Sequence, residues 1–253
     1  PFLRKAVTGY KGSAMASPRD LRLRVTELER FRAEILSGTG ASTAAVGDVH
    51  GGARYLEDLL AALEGKEEIS RIVLFGDYFD RGAENRRVFD ILKRFHARGR
   101  GVLLLGNHDP WTIQALRGHL DAFATWIANG GYSTLKEFGI RLPDLNGGRS
   151  PEAVYQRILA ARAEVYRAFD EARAHPALNE MSAWMQDHLR LFHLDSRGFL
   201  HVHAGIPLTP DHEPDLVYGG TEGIEALQAM QDELAATRDP EAPVFEFLNS
   251  PAS

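Results

Sequence analysis

Three short stretches end in side chains that hold ions or move protons: GDVHG at 47–51, GDYFDRG at 76–82 and GNHD at 106–109. Together they offer Asp48, His50, Asp77, Asp80, Asn107 and His108, which are oxygen donors and imidazoles without sulfur. That donor set suits Mn²⁺, Zn²⁺ or iron better than a thiophilic ion. Glycine precedes Asp48, Asp77 and Asn107, so the backbone can turn sharply and bring a short side chain close to an ion. A single GD or GN after a strand is ordinary turn chemistry. Three of them, each with a second functional residue at a fixed offset, point to one shared two-ion site.

Elements with a regular spacing must carry these tips. Apolar runs predict strands over about 43–47, 71–75 (RIVLF) and 101–105 (GVLLL), each running into one of the motifs. Helical periodicity fills 55–63 and 85–98 between them. Such alternation argues for an α/β fold with a parallel sheet. The carboxyl ends of parallel strands lie side by side, so motifs about thirty residues apart, one strand–helix unit, converge in space. Further helices are predicted at 111–129, 133–138, 150–174 and 176–189, with PDLNGGRSP as a loop. A strand over 198–202 and a helix over 221–236 follow. Upstream, Ser17-Pro18 reads as a helix start, and Leu21, Val25, Leu28, Phe31 and Ile35 repeat at helical spacing. The expected organisation is an N-terminal helical segment, 1–40, and one domain, 41–253, with a helical insertion at about 110–194.

A net charge of −6 provides no basic field for nucleic acid or an anionic membrane. The early arginines interleave with glutamates, as on a solvated helix face. No cysteine is present, which excludes disulfides and thiolate chemistry and fits a reducing compartment. With no apolar run of about 18 residues and no signal-peptide core near the start, a cytoplasmic location is expected. Trp111, Trp126 and Trp184 lie on helical segments and read as packing residues, not as a base-stacking platform.

The three motifs resemble the signature of the calcineurin-like metallophosphoesterases. The intact DRG resembles the phosphoprotein phosphatase branch and its relatives, the symmetrical dinucleoside polyphosphate hydrolases. FLHVHAGIP (199–207) is similar to that branch's next motif. WIANGGYSTLKEFG (126–139) resembles a helical stretch of bacterial serine/threonine phosphatases. The resemblance implies a central β-sandwich flanked by helices, in the four-layer arrangement. It also implies two divalent ions, Mn²⁺ first, with Fe or Zn as alternatives. Asp48, His50 and Asp77 would hold the first ion; Asp77 would bridge to a second, held also by Asn107 and His203. His201 competes with His203 on spacing, and the match to HAG selects His203. Arg81 would hold the substrate phosphate, and His108, oriented by Asp80, would be the general acid.

These roles make chemical sense. Two cations can activate a water and clamp phosphoryl oxygens. An arginine fork matches phosphate oxygens. A histidine held by a carboxylate can protonate a leaving alkoxide, worth about 10²–10⁴-fold. The expected activity is therefore phosphoric ester hydrolysis on a phosphorylated protein, with a dinucleoside polyphosphate as the alternative substrate. A non-catalytic phosphate-binding fragment is the rival from another class. GNHD carries Asp109 where the branch usually has glutamate, and no catalytic role is assigned to it. The branch's later metal histidine and phosphate arginine have no match after His203, and are expected beyond residue 253.

Overall fold

Branched and bulky apolar residues without a polar break, as in RIVLF, favour a pleat buried on both faces. The computed structural model describes residues 42–143, 151–195, 199–203, 221–242 and 244. In it β1 (Ser42–Val46), β2 (Ile69–Leu74) and β3 (Gly101–Leu103) form a parallel sheet in the order β1-β2-β3. Val46 pairs with Leu74, and Leu74 with Leu103, so the three strands end level with one another. That common ending sets their polar tips side by side. Leu104 and Leu105 stay extended beyond β3, and the Leu105 N–H donates to the Arg190 carbonyl at 2.8 Å.

The crossovers are α1 (Ala53–Glu64) and α2 (Asn85–Ala97). α2 buries Val88, Phe89, Leu92 and Phe95, one face of a helix by their spacing. These side chains join Ile72 and Leu74 in the main core, whereas Val73, Val102 and Leu104 form a second cluster with Phe75. The sheet is thus apolar on both faces, as a parallel sheet requires.

The helical region comprises α3 (His108–Arg117), α4 (Leu120–Trp126), a π turn (Ile127–Gly131), α5 (Tyr132–Glu137), α6 (Pro151–Ala160), α7 (Arg162–Ala174) and α8 (Pro176–His188). The single helix predicted over 111–129 is instead two helices and the turn. Gly118, at φ 114°, closes α3, and the His119 ring accepts the Ala122 N–H at 3.1 Å to cap α4. The helix predicted over 150–174 breaks at Ala161, a break that no helix-breaking residue announces. β4 (His193–Leu194) and β5 (Leu200–His201) make a separate antiparallel pair, shorter than the predicted strand, and α9 spans Thr221–Ala236. The predicted N-terminal helix, most of PDLNGGRSP and the last four residues of FLHVHAGIP lie outside the described residues.

Candidate metal centre

The three loops beyond the strands are tied to one another through backbone. Val49 and His50 N–H both donate to the Asp77 carbonyl, at 3.1 and 2.9 Å, and Gly51 N–H donates to Tyr78 at 2.9 Å. The third loop joins through side chains. His108 N–H donates to Asp77 Oδ1 at 3.0 Å, and Asp109 Oδ2 accepts from Gly106 N–H at 2.7 Å and from Asp77 N–H at 3.3 Å. Four non-glycine residues here have left-handed backbone: His50 (φ 43°), Asp77 (51°), Asp80 (72°) and Arg81 (62°). Each such conformation costs about 1–3 kcal/mol, and persists only where the surroundings enforce it. The interlocked loops do so. Gly106 is needed for their approach, since a Cβ there would lie 2.2 Å from Asp77 Oδ1.

Asp77 stands at the middle. Its Oδ2 is 3.6 Å from His50 Nε2, and its Oδ1 is 3.8 Å from His203 Nε2. His50 Nε2 is also 3.9 Å from Asp48 Oδ2, and His203 Nε2 is 3.2 Å from Asn107 Oδ1. Ligating atoms of Asp48, Asp77 and His203 lie within 4.8 Å of one another, as do those of His50, Asp77 and His108.

Tautomers decide whether these groups fit cations. His50 Nδ1 is 2.8 Å from the Phe79 carbonyl, and His203 Nδ1 bonds the Phe75 carbonyl. A carbonyl only accepts, so both Nδ1 atoms carry the proton and both Nε2 atoms present lone pairs. Burial, with a smaller push from the Arg81 charge, holds His50 below its ordinary pKa and so keeps it neutral. The His203 lone pair therefore faces amide and carboxylate oxygens, acceptor against acceptor, while that of His50 takes an Arg81 N–H at 2.9 Å with the Asp77 and Asp48 carboxylates beside it. A divalent cation reconciles that arrangement, and the donor set fits one.

Beside this centre lies a buried imidazole–carboxylate pair. His108 Nδ1 is 2.8 Å from Asp80 Oδ2, both side chains being buried. The other oxygen of Asp80 accepts the Trp126 indole N–H at 2.9 Å and the Thr134 hydroxyl at 2.7 Å. Arg81 spans the pocket, with Nη1 2.9 Å from His50 Nε2 and Nη2 2.9 Å from His108 Nε2. Its backbone N–H donates to Gly130 and its Nε to Asn129, at 3.2 and 3.4 Å. The π turn thus wraps the arginine, and Gly130 (φ 111°) permits the contact: a Cβ there would lie 2.7 Å from Arg81 Cγ.

Residues 41–233 match the profile of the calcineurin-like phosphoesterases. The chain belongs to that family. This phosphoesterase is a metal-dependent hydrolase, and two groups of its side chains could hold a metal ion. No curated protein matches the sequence. Among the described residues no helix is long and apolar enough to cross a membrane.

Other residues of the phosphoesterase take places that their spacing did not announce. Trp126, which reads in sequence as a packing residue, is buried but directs its one polar atom at Asp80. The likeness of 126–139 to a phosphatase stretch was the available signal, without a role attached. Trp111 is half-buried, its ring 5.0 Å from that of His108. His201 lies in β5 opposite His193, with Nε2 3.5 Å from Asp195 Oδ2, apart from the ligand groups. Asp109 is buried with Oδ1 unpartnered among the described residues. Burial, reinforced by the Asp77 charge, pushes its pKa well above the ordinary carboxylate range.

Proposed function

We propose that this phosphoesterase is a phosphoserine/phosphothreonine phosphatase of the phosphoprotein phosphatase branch. It would bind two divalent ions, Mn²⁺ first, through Asp48, His50 and Asp77 on one side and Asp77, Asn107 and His203 on the other. When bound, the ions supply Lewis acidity to the phosphoryl oxygens and activate the attacking water. Arg81 binds phosphate oxygens with its fork. His108 takes the Arg81 Nη2–H at Nε2 in this structure; once phosphate draws the guanidinium away, it would carry a proton at Nε2 and give it to the leaving alkoxide while Asp80 holds Nδ1–H and stabilises the charged ring. No covalent intermediate on the protein is needed. A four-layer sandwich, a helical 1–40 segment and a cytoplasmic setting belong to the same reading.

The observation that carries it is the Asp80–His108 pair at 2.8 Å beside the Arg81 fork, a carboxylate-held imidazole next to a phosphate-matched cation. A second reading, hydrolysis of a dinucleoside polyphosphate, draws support from Trp111, an aromatic surface next to the proton donor. Turnover of a phosphoserine peptide and of diadenosine tetraphosphate by the Mn²⁺-loaded protein separates the two. Faster release of phosphate from the peptide is expected; a clear preference for the nucleotide reverses the ranking.

A further inference from the structure

Asp80 is fully buried, and an ionised carboxylate is costly there unless its lone pairs are engaged. Its two oxygens are engaged differently. Among the described residues Oδ2 meets only the His108 ring, at 2.8 Å. Oδ1 takes both other side-chain donors, Trp126 Nε1 at 2.9 Å and Thr134 Oγ1 at 2.7 Å. Neither donor can reverse its direction. An indole N–H has no acceptor capacity. The Thr134 hydroxyl accepts the backbone N–H of Asp80 at 3.2 Å, so its single proton is free to point at Oδ1. With Oδ1 saturated, the carboxylate cannot rotate without losing two hydrogen bonds, and Oδ2 is reserved for His108 Nδ1.

The chain reaches this arrangement by a specific break. Trp126 ends α4 and Thr134 lies in α5, eight positions later. On an unbroken helix they would stand about 12 Å apart along the axis and could not meet on one oxygen. The π turn between them, with Gly130 at φ 111°, folds the second donor back onto the first. Asn129 and Gly130, inside the same turn, hold Arg81 through their carbonyls.

We infer that Trp126 and Thr134 are positioning residues for proton donation: they fix the Asp80 carboxylate so that it orients His108 toward the leaving group. This rests on His108 being the general acid, as read above. Proton donation matters most when the leaving group is a poor one, which gives a readout that general loosening of the fold would not produce.

The test compares the Mn²⁺-loaded wild type, Thr134→Val, Thr134→Ser and Trp126→Phe on p-nitrophenyl phosphate, which has an activated leaving group, and on phenyl phosphate, which does not. Thr134→Val should lose about tenfold or more on phenyl phosphate and under about threefold on p-nitrophenyl phosphate, within the range general acid catalysis allows. Trp126→Phe should show the same bias, and Thr134→Ser should restore the wild-type ratio. Equal losses on both substrates, or none on either, overturn the inference. His108→Ala separates the two levels. If it shows no leaving-group bias, the proton-donor reading falls; if it shows one that Thr134→Val and Trp126→Phe lack, only the positioning role falls.

A second readout needs neither ions nor turnover. In the ion-free wild type, the Trp126 indole proton should resonate downfield of those of the other two tryptophans, and Asp80→Asn should move it upfield. An indole resonance indifferent to Asp80→Asn also counts against the proposal.

Discussion

Arg81 Nη1 sits 2.9 Å from His50 Nε2, on the lone pair that an ion would need. One lone pair cannot serve both partners, so loading the His50 site releases half of the arginine fork for phosphate. Arg81→Ala is therefore expected to keep its ions, at equal or higher Mn²⁺ affinity by calorimetry. The KM for a phosphomonoester should rise by about 10–100-fold, the worth of one lost charge-assisted hydrogen bond. Loss of ion binding in this variant would contradict the assignment of Arg81 to phosphate.

Asp77 supplies a different contrast. Its two oxygens face different imidazoles, His50 and His203, and the carboxylate is almost wholly buried. Asp77→Ala is expected to deplete both ions, whereas Asp48→Ala, altering a proposed ligand that is 55% exposed, should weaken one. Metal analysis of the purified variants decides this. Full occupancy in Asp77→Ala would refute a bridging role.

Acid sensitivity follows from groups with opposite signs. His50, His96 and His193 are held below their ordinary pKa, mainly by burial. A histidine depressed in the folded state contributes stability above its unfolded value of about 6.5, and loses it as pH falls through the folded value. Asp109 works the other way: raised by burial, it costs stability as pH climbs from its unfolded value of about 3.9 through the folded one. Asp109→Asn removes that opposing slope. In EDTA, its melting midpoint relative to wild type should rise with pH between about 5 and 8. The variant's own midpoint should fall as pH drops from about 7 to about 5. A flat difference across that range would show that Asp109 is not protonated differently in the two states.

Legibility in sequence tracked how local each signal was. RIVLF and GVLLL are apolar runs, and β2 and β3 overlap them, with Leu104 extended beyond β3 in a bridge to Arg190. The helix predicted over 85–98 forms as α2 (Asn85–Ala97), and Val88, Leu92 and Phe95 lie on its buried face. The breaks after Gly118 and at Ala161 were less legible. Gly118 is tolerated inside many helices, and its left-handed state becomes informative only once His119 caps the next one. The two-residue β4 carries too short a pattern to register at all.

At the site the division is cleaner. Residue types and their offsets from strand ends determined, by themselves, that hard donors and imidazoles would crowd one edge of a parallel sheet. Strand formation and glycine-led turns are near-neighbour effects written in the order of residues. Which atoms face which was decided only by tertiary structure. The Nε2 lone pairs of His50 and His203, the saturation of Asp80 by Trp126 and Thr134, and the seat of Arg81 all depend on partners 27 to 128 positions away. A hydrogen bond fixes a proton's direction only when both partners are in place, and no local pattern carries that geometry.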